Sequence, residues 1–363
     1  MPSLARLSSL SLAALLTSAL GCGDSTVSAP VDASATDTGS NTVVDAGEDA
    51  GSAVVDAGED TGSTVTEDVP AAPADVPKLD EPPVVSGPCD GFVSGTVTNY
   101  QVDDLRRSFI LTLPTGATGT GGHWPVVFNW HGLGDSAPNM NQLLAGEVNN
   151  AAFPFILVTP VSTQLGPTTS PLGLEWENLR ATTPNREARL FDAVVRCLDE
   201  RYGVDRDRLY TVGFSAGAIM SDLLGVLRGS QLAAVVSYSG GYFSNPENPA
   251  TLGALRTYPQ WPQLPTAPRY SQLLMFGGES DTFNLFVATA RFNVFAANDL
   301  PYLNAAGHDV IYCDHGRGHT LPSAILGSRL VQFFAAHRRG ERSPWASEIP
   351  SGWPSYCAFH AGM

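Results

Sequence analysis

Positive charge is scarce in this chain of 363 residues. Twenty Lys and Arg stand against 36 Asp and Glu, a net charge of −16. Nothing in that balance argues for a nucleic-acid-binding class. The imbalance is local: residues 24–86 hold 14 acids and one base, Lys78, whereas residues 87–363 hold 22 acids and 18 arginines. The acidity therefore describes a segment and not a fold. Large apolar side chains are almost missing from that same segment, so it cannot bury enough surface to offset the entropy of ordering. Residues 43–49 recur eleven positions on as residues 54–60. A solenoid repeat would need bulkier side chains, and the oxygen spacing of a calcium loop is absent. Residues 23–86 are expected to form a disordered acidic tether, stiffened by proline towards its end.

The apolar run near the start, residues 10–20, is too short to span a bilayer and follows a single positive charge, Arg6. This is the pattern of an export signal over residues 1–22. Gly21-Cys22 resembles the bacterial lipoprotein processing box, with Ala19 where leucine is commonest. The resemblance implies that Cys22 becomes a lipidated first residue, and Gly23 after it points to the outer membrane. Cysteine is sparse otherwise. Cys89, Cys197, Cys313 and Cys357 remain, an even number that in an exported chain suggests two disulfides. Of the three pairings, one that joins Cys313 to Cys357 is favoured. None of the four sits in a tight strand-to-helix turn, which argues against a thiol nucleophile.

What the chain does contain centres on Gly213-Phe214-Ser215-Ala216-Gly217. The buried strand residues 209–212 precede it and the helix-competent residues 216–227 follow. A serine between strand and helix, with glycine on either side, is the sequence form of a nucleophile elbow. The turn projects the hydroxyl free of the sheet, and the helix start offers N–H groups to a developing oxyanion. Strands are expected at 108–113, 125–130, 155–159, 233–237, 273–276 and, last, 310–313. Short, wholly apolar runs suit a parallel sheet buried on both faces. Helices are expected at 187–201, 283–298 and from Pro322 to about His337. Residues 162–184 form a long connection carrying Trp176, a residue expected to line the substrate cleft or simply to bury its ring. Residues 240–270 read as an excursion on the substrate side without helical period.

Asp281 leaves the end of one strand, with Glu279 as its rival acid. His319 lies in a Gly-His-Thr-x-Pro frame after the last strand, with His315 as the rival base. The order Ser, Asp, His is that of the α/β-hydrolases, a mainly parallel sheet with helices on both faces. His131-Gly132-Leu133 ends the second strand. In that fold such a segment turns the next N–H into the active site, so Leu133 and Ala216 are the expected oxyanion donors. His131 itself is expected to hold the loop.

Residues 191–221, together with the segments around His131 and His319, resemble the polyhydroxybutyrate depolymerase and feruloyl esterase family. The likeness covers roughly residues 87–340, within an expected catalytic domain of 87–363. It implies a serine esterase in which Ser215 takes the acyl group, His319 moves the proton and Asp281 orients the imidazole. The substrate would be an ester of feruloyl, acetyl or hydroxyalkanoate type, polymeric or plant-derived, with no metal or organic cofactor. Ala218 departs from the family's commoner glycine, and no polymer-binding module is evident. The alternatives are a dienelactone-hydrolase-like or peptidase-like enzyme, or a surface binding protein on the same scaffold.

Overall fold

The computed structural model describes residues 81–162, 175–179, 181, 184–284 and 288–363. The export signal with Cys22, and the tether up to residue 80, lie outside the described residues. What is described falls within one compact unit, Asp68–Met363.

Short apolar stretches build the centre of a nine-stranded sheet. Its strands are β1 (Gly95–Val102), β2 (Leu105–Thr112), β3 (Trp124–Trp130), β4 (Ile156–Pro160), β5 (Val204–Phe214), β6 (Ala234–Tyr238), β7 (Ser271–Phe276), β10 (Asp309–Asp314) and β11 (Cys357–His360). A separate hairpin, β8 (Thr282–Asn284) and β9 (Thr289–Arg291), stands outside it. The order is β1-β2-β4-β3-β5-β6-β7-β10-β11. All pairings from β4 to β10 are parallel, and the outer pairings at both edges are antiparallel. The helices are α1 (Ala137–Ala145), α2 (Arg186–Tyr202), α3 (Ala216–Arg228), α4 (Glu247–Ala250), α5 (Phe292–Ala305) and α6 (Ser328–Ala336).

Alternation along the strands divides the core in two. Val126, Phe128 and Trp130 of β3 pack with α2, α3 and Leu303 of α5, while Val127 between them packs with Leu144 of α1 and Phe333 and Phe334 of α6. Helices thus cover both faces, the α/β-hydrolase arrangement. The longest helix, α2, starts where Asn185 accepts hydrogen bonds from the N–H groups of Glu187 and Ala188 and stops at Gly203, whose φ is 75°. A side-chain cap of this kind is worth about 1 kcal/mol.

The sheet extends beyond the strands expected from apolar runs. Residues 310–313 are not its last strand, because β11 adds to them antiparallel, with Cys357 opposite Cys313. Those two cysteines are bonded, and Cys89 is bonded to Cys197 on α2. The expected helix from residue 283 begins only at Phe292, after the hairpin. Residues 81–86, acidic and proline-rich, rest on the domain. Glu81 pairs with Arg228 at 2.8 Å, and Arg189 donates to the carbonyls of Pro82 and Pro83.

Candidate active site

The end of β5 and the start of α3 meet at Ser215, whose φ of 54° and ψ of −118° are strained for a residue with a side chain. The strain persists because neighbouring backbone leaves no other path. A Cβ on Gly213 would stand 2.1 Å from the Gly217 carbonyl oxygen, and one on Gly217 would stand 2.2 Å from that of Trp130. These contacts explain why glycine flanks the serine on both sides.

His319 and Asp281 reach Ser215 from two loops that touch each other. Gly318 N–H donates to the Gly277 carbonyl at 2.8 Å, and a Cβ on Gly277 would fall 1.9 Å from the Gly318 oxygen. His319 Nε2 lies 3.0 Å from Ser215 Oγ, and His319 Nδ1 lies 2.7 Å from Asp281 Oδ1. An ionised carboxylate only accepts, so Nδ1 carries a proton and Nε2 is free to receive one from the serine. The rings of Phe214 and Phe292 stack on the imidazole, each with a centroid separation of 4.8 Å. Asp281 is wholly buried, and its second oxygen accepts from Ser239 Oγ at 2.7 Å and from Gly277 N–H at 2.8 Å. Glu279 and His315 make neither contact. His315 is buried beside the loop, where it accepts from Arg317 N–H, and burial pushes its pKa down.

Leu133 and Ala216 both line a cleft that opens on Ser215. Ala216 is the first residue of α3, so its N–H has no partner within the helix. Gly132 packs against the elbow, its missing Cβ only 3.5 Å from that of Ser215, which brings Leu133 alongside. Leu252, Leu255, Tyr258 and Pro259 form one wall of the cleft, and Phe283, Ala290 and Phe292 form another. The walls stand close together. The cavity between them is small, about 40 Å³. Among the described residues no charged side chain lines it.

Trp176 is not in this lining and does not serve as a cleft wall. It is 1% exposed and donates Nε1–H to the His131 carbonyl at 2.9 Å. An indole must satisfy its N–H when buried, and a backbone acceptor beneath the cleft does so.

Sequence reasoning missed Ser239, whose only local signal is Ser-Gly-Gly at the end of β6. It also missed a buried polar set behind the elbow helix. Asp222 of α3 accepts from Ser237 Oγ and from Gly241 N–H, both at 2.8 Å. Asp299 of α5 accepts from the Tyr242 N–H and from the side chains of Asn245 and Asn248. Burial pushes the Asp222 carboxyl up to about 7 and raises that of Asp299 well above its ordinary range. Together the two acids hold the 239–248 loop, and with it Ser239.

A phospholipase/carboxylesterase family model matches residues 118–260, a span that includes His131-Gly132-Leu133 and the elbow. Esterase YpfH of Escherichia coli (strain K12) is 33% identical over 225 residues, 59% of this chain and 82% of that protein. The chain belongs to the phospholipase/carboxylesterase family. A probable feruloyl esterase C of Aspergillus terreus is 28% identical over 151 residues, 41% of this chain and 52% of that protein. The solved structures of sOPH and pOPH match at 18% identity with TM-scores of 0.57 and 0.58. They cover 76% and 74% of this chain and 97% and 94% of their own, and the likeness is one of fold.

Proposed function

We propose that the protein is an exported serine esterase that hydrolyses carboxylic esters through an acyl-enzyme on Ser215. The observation that carries this reading is the continuous hydrogen-bonded line from Ser215 Oγ through His319 to buried Asp281, placed at the mouth of an apolar cleft. Ser215 Oγ attacks the ester carbonyl while its proton passes to His319 Nε2, and Asp281 balances the imidazolium. The carbonyl oxygen becomes an oxyanion facing the N–H groups of Leu133 and Ala216. As the intermediate collapses, the C–O bond breaks and His319 returns the proton to the leaving alcohol. Water then gives a proton to His319 and attacks the acyl carbon, and Ser215 is released with the acid. No metal or organic cofactor enters these steps.

The lining favours an uncharged, slender acyl group of feruloyl, acetyl or hydroxyalkanoate type. A dienelactone would bring a carboxylate, and no cation among the described residues lines the cleft to receive it. Export is supported by the two disulfides, which persist outside the reducing cytosol. Anchorage through a lipid on Cys22 would place the enzyme at the outer membrane or beyond it, towards polymeric or plant-derived esters.

The test is a chromogenic ester panel of rising acyl length that includes feruloyl and hydroxybutyrate esters, run on the native chain and on Ser215→Ala. Loss of several orders of magnitude in kcat is expected for the variant. Near-native turnover in pure, folded Ser215→Ala would remove the serine from the mechanism.

A further inference from the structure

Residues 175–179 lie against both loops that carry the oxyanion donors. Trp176 donates to the His131 carbonyl, packs edge-on to Trp130 with centroids 5.1 Å apart, and covers the His131 ring at 4.8 Å. Two residues on, Asn178 is fully buried and donates Nδ2–H to the Ala216 carbonyl at 2.8 Å. The strap is itself fastened at both ends. Arg186 N–H donates to Glu177 Oε2 and Asn185 Nδ2 to the Glu177 carbonyl, tying it to the start of α2. Trp261 Nε1 donates to the Asn178 carbonyl and Gln260 N–H to that of Leu179, tying it to the side of the cleft.

One peptide shows how this support reaches the chemistry. The Gly132 carbonyl accepts from His131 Nδ1 at 2.9 Å, so that nitrogen carries the proton, and the Glu175 carboxylate stands 3.6 Å from it. A trans peptide points its C=O and its N–H in opposite directions. Holding the Gly132 oxygen on one side therefore aims the Leu133 N–H to the other. The Asp135 N–H also donates to that oxygen, at 3.2 Å, and the Trp176 indole fixes the ring that shares the holding and the carbonyl just before it.

We propose that Trp176 and Asn178 are positioning residues for the oxyanion donors. Trp176 sets the direction of the Leu133 N–H, and Asn178 sets the first turn of α3, where the Ala216 N–H resides. The inference rests on the assignment of those two N–H groups as donors. Donors of this kind act because they are aimed before the charge appears, and loss of one costs about 10²–10³ in kcat. Loosening its support costs less.

Trp176→Phe keeps the ring contacts and removes the N–H, while Asn178→Leu keeps the volume and removes the amide. Each is assayed for kcat and KM on a p-nitrophenyl ester. Each is also assayed for affinity to a matching trifluoromethyl ketone, which forms an oxyanion on serine, and to the matching alcohol, which does not. A fall of about 10–100-fold in kcat is expected, with KM within about twofold, since donor alignment matters most in the transition state. Ketone affinity should fall by the same factor and alcohol affinity should hold. A rise in KM at constant kcat, or ketone affinity equal to native in folded variants, would overturn the inference. Trp176→Phe, the milder change, decides alone should Asn178→Leu not fold. A ketone that fails to bind even the native chain would defeat the acyl-enzyme reading instead.

Discussion

Each oxygen of Asp281 has its own partner, and the one turned away from His319 depends on Ser239. That hydroxyl bonds a buried carboxylate, a class of interaction worth roughly 1.5–3 kcal/mol. Ser239→Ala leaves the Gly277 N–H in place and should lower kcat about tenfold with KM unchanged, as steady-state rates on a short-chain ester will show. The two histidines of the same loop should separate more sharply. His319→Ala should cost orders of magnitude in kcat, and His315→Ala less than about threefold, because only His319 touches Ser215 and Asp281. Comparable losses at both positions would contradict that assignment. That Ser215, Asp281 and His319 come together was legible from sequence, because each sits in a short frame of glycines that its own turn requires. The placing of Ser239 and Asn178 was not, because neither stands in a frame that signals its role and only packing brings them to Asp281 and Ala216. Trp176 stands out because a long connection carries it, but the choice between cleft wall and buried ring could not be read from its neighbours.

Among the elements, the strands with apolar runs or clear alternation were the readable ones. Strands β3 to β7 and β10 announce themselves as apolar runs, whereas β1 is mostly exposed and β11 has four residues. Edge strands satisfy half their backbone with water and need no apolar signature. Helix α1 also escaped notice, since its proline and two asparagines obscure the period. The same pattern-based reading passed over Asp222 and Asp299, acids placed among apolar neighbours on α3 and α5. They give the protein a pH-dependent stability whose sign is fixed. A carboxyl raised from 3.8 to about 7 on folding favours the folded state when neutral. Its contribution is complete below about pH 4 and is lost as pH rises through about 7. The buried His308 and His337, whose pKa values burial pushes down, act in the opposite sense below about pH 6.5. The fall in Tm should therefore show between about pH 6.5 and 8. Asp222→Asn, which keeps acceptors for Ser237 and Gly241, should flatten that slope, leaving the part due to Asp299. An identical slope in calorimetry of the variant would exclude Asp222 as its source.

For the whole molecule, the question is where the working domain begins. Composition alone places the tether up to residue 86, yet Glu81, Pro82 and Pro83 engage Arg228 and Arg189, and Ser86 bridges to Val102. A chain starting at Glu81 should hydrolyse small esters as fast as the full-length protein. One starting at Gly87 should keep its kcat but melt several degrees lower by circular dichroism. A tenfold loss of turnover in the chain from Glu81 would mean that the preceding residues contribute to the fold. The bond from Cys89 to Cys197 closes a loop of 108 residues, a length for which a cross-link is worth about 4–5 kcal/mol. Its removal by Cys89→Ser with Cys197→Ser should cost more in Tm than removal of residues 81–86.

Much of the cleft wall comes from Leu252, Leu255, Tyr258 and Pro259, while the line from Ser215 to Asp281 is fixed to strand ends by backbone contacts between glycines. Selection can therefore act on the two separately. On the proposed mechanism, drift in the walls would exchange one acyl group for another without disturbing the carbonyl chemistry, whereas drift in the glycine frames has nowhere to go. A lineage built on this plan would diversify in diet and stay constant in reaction.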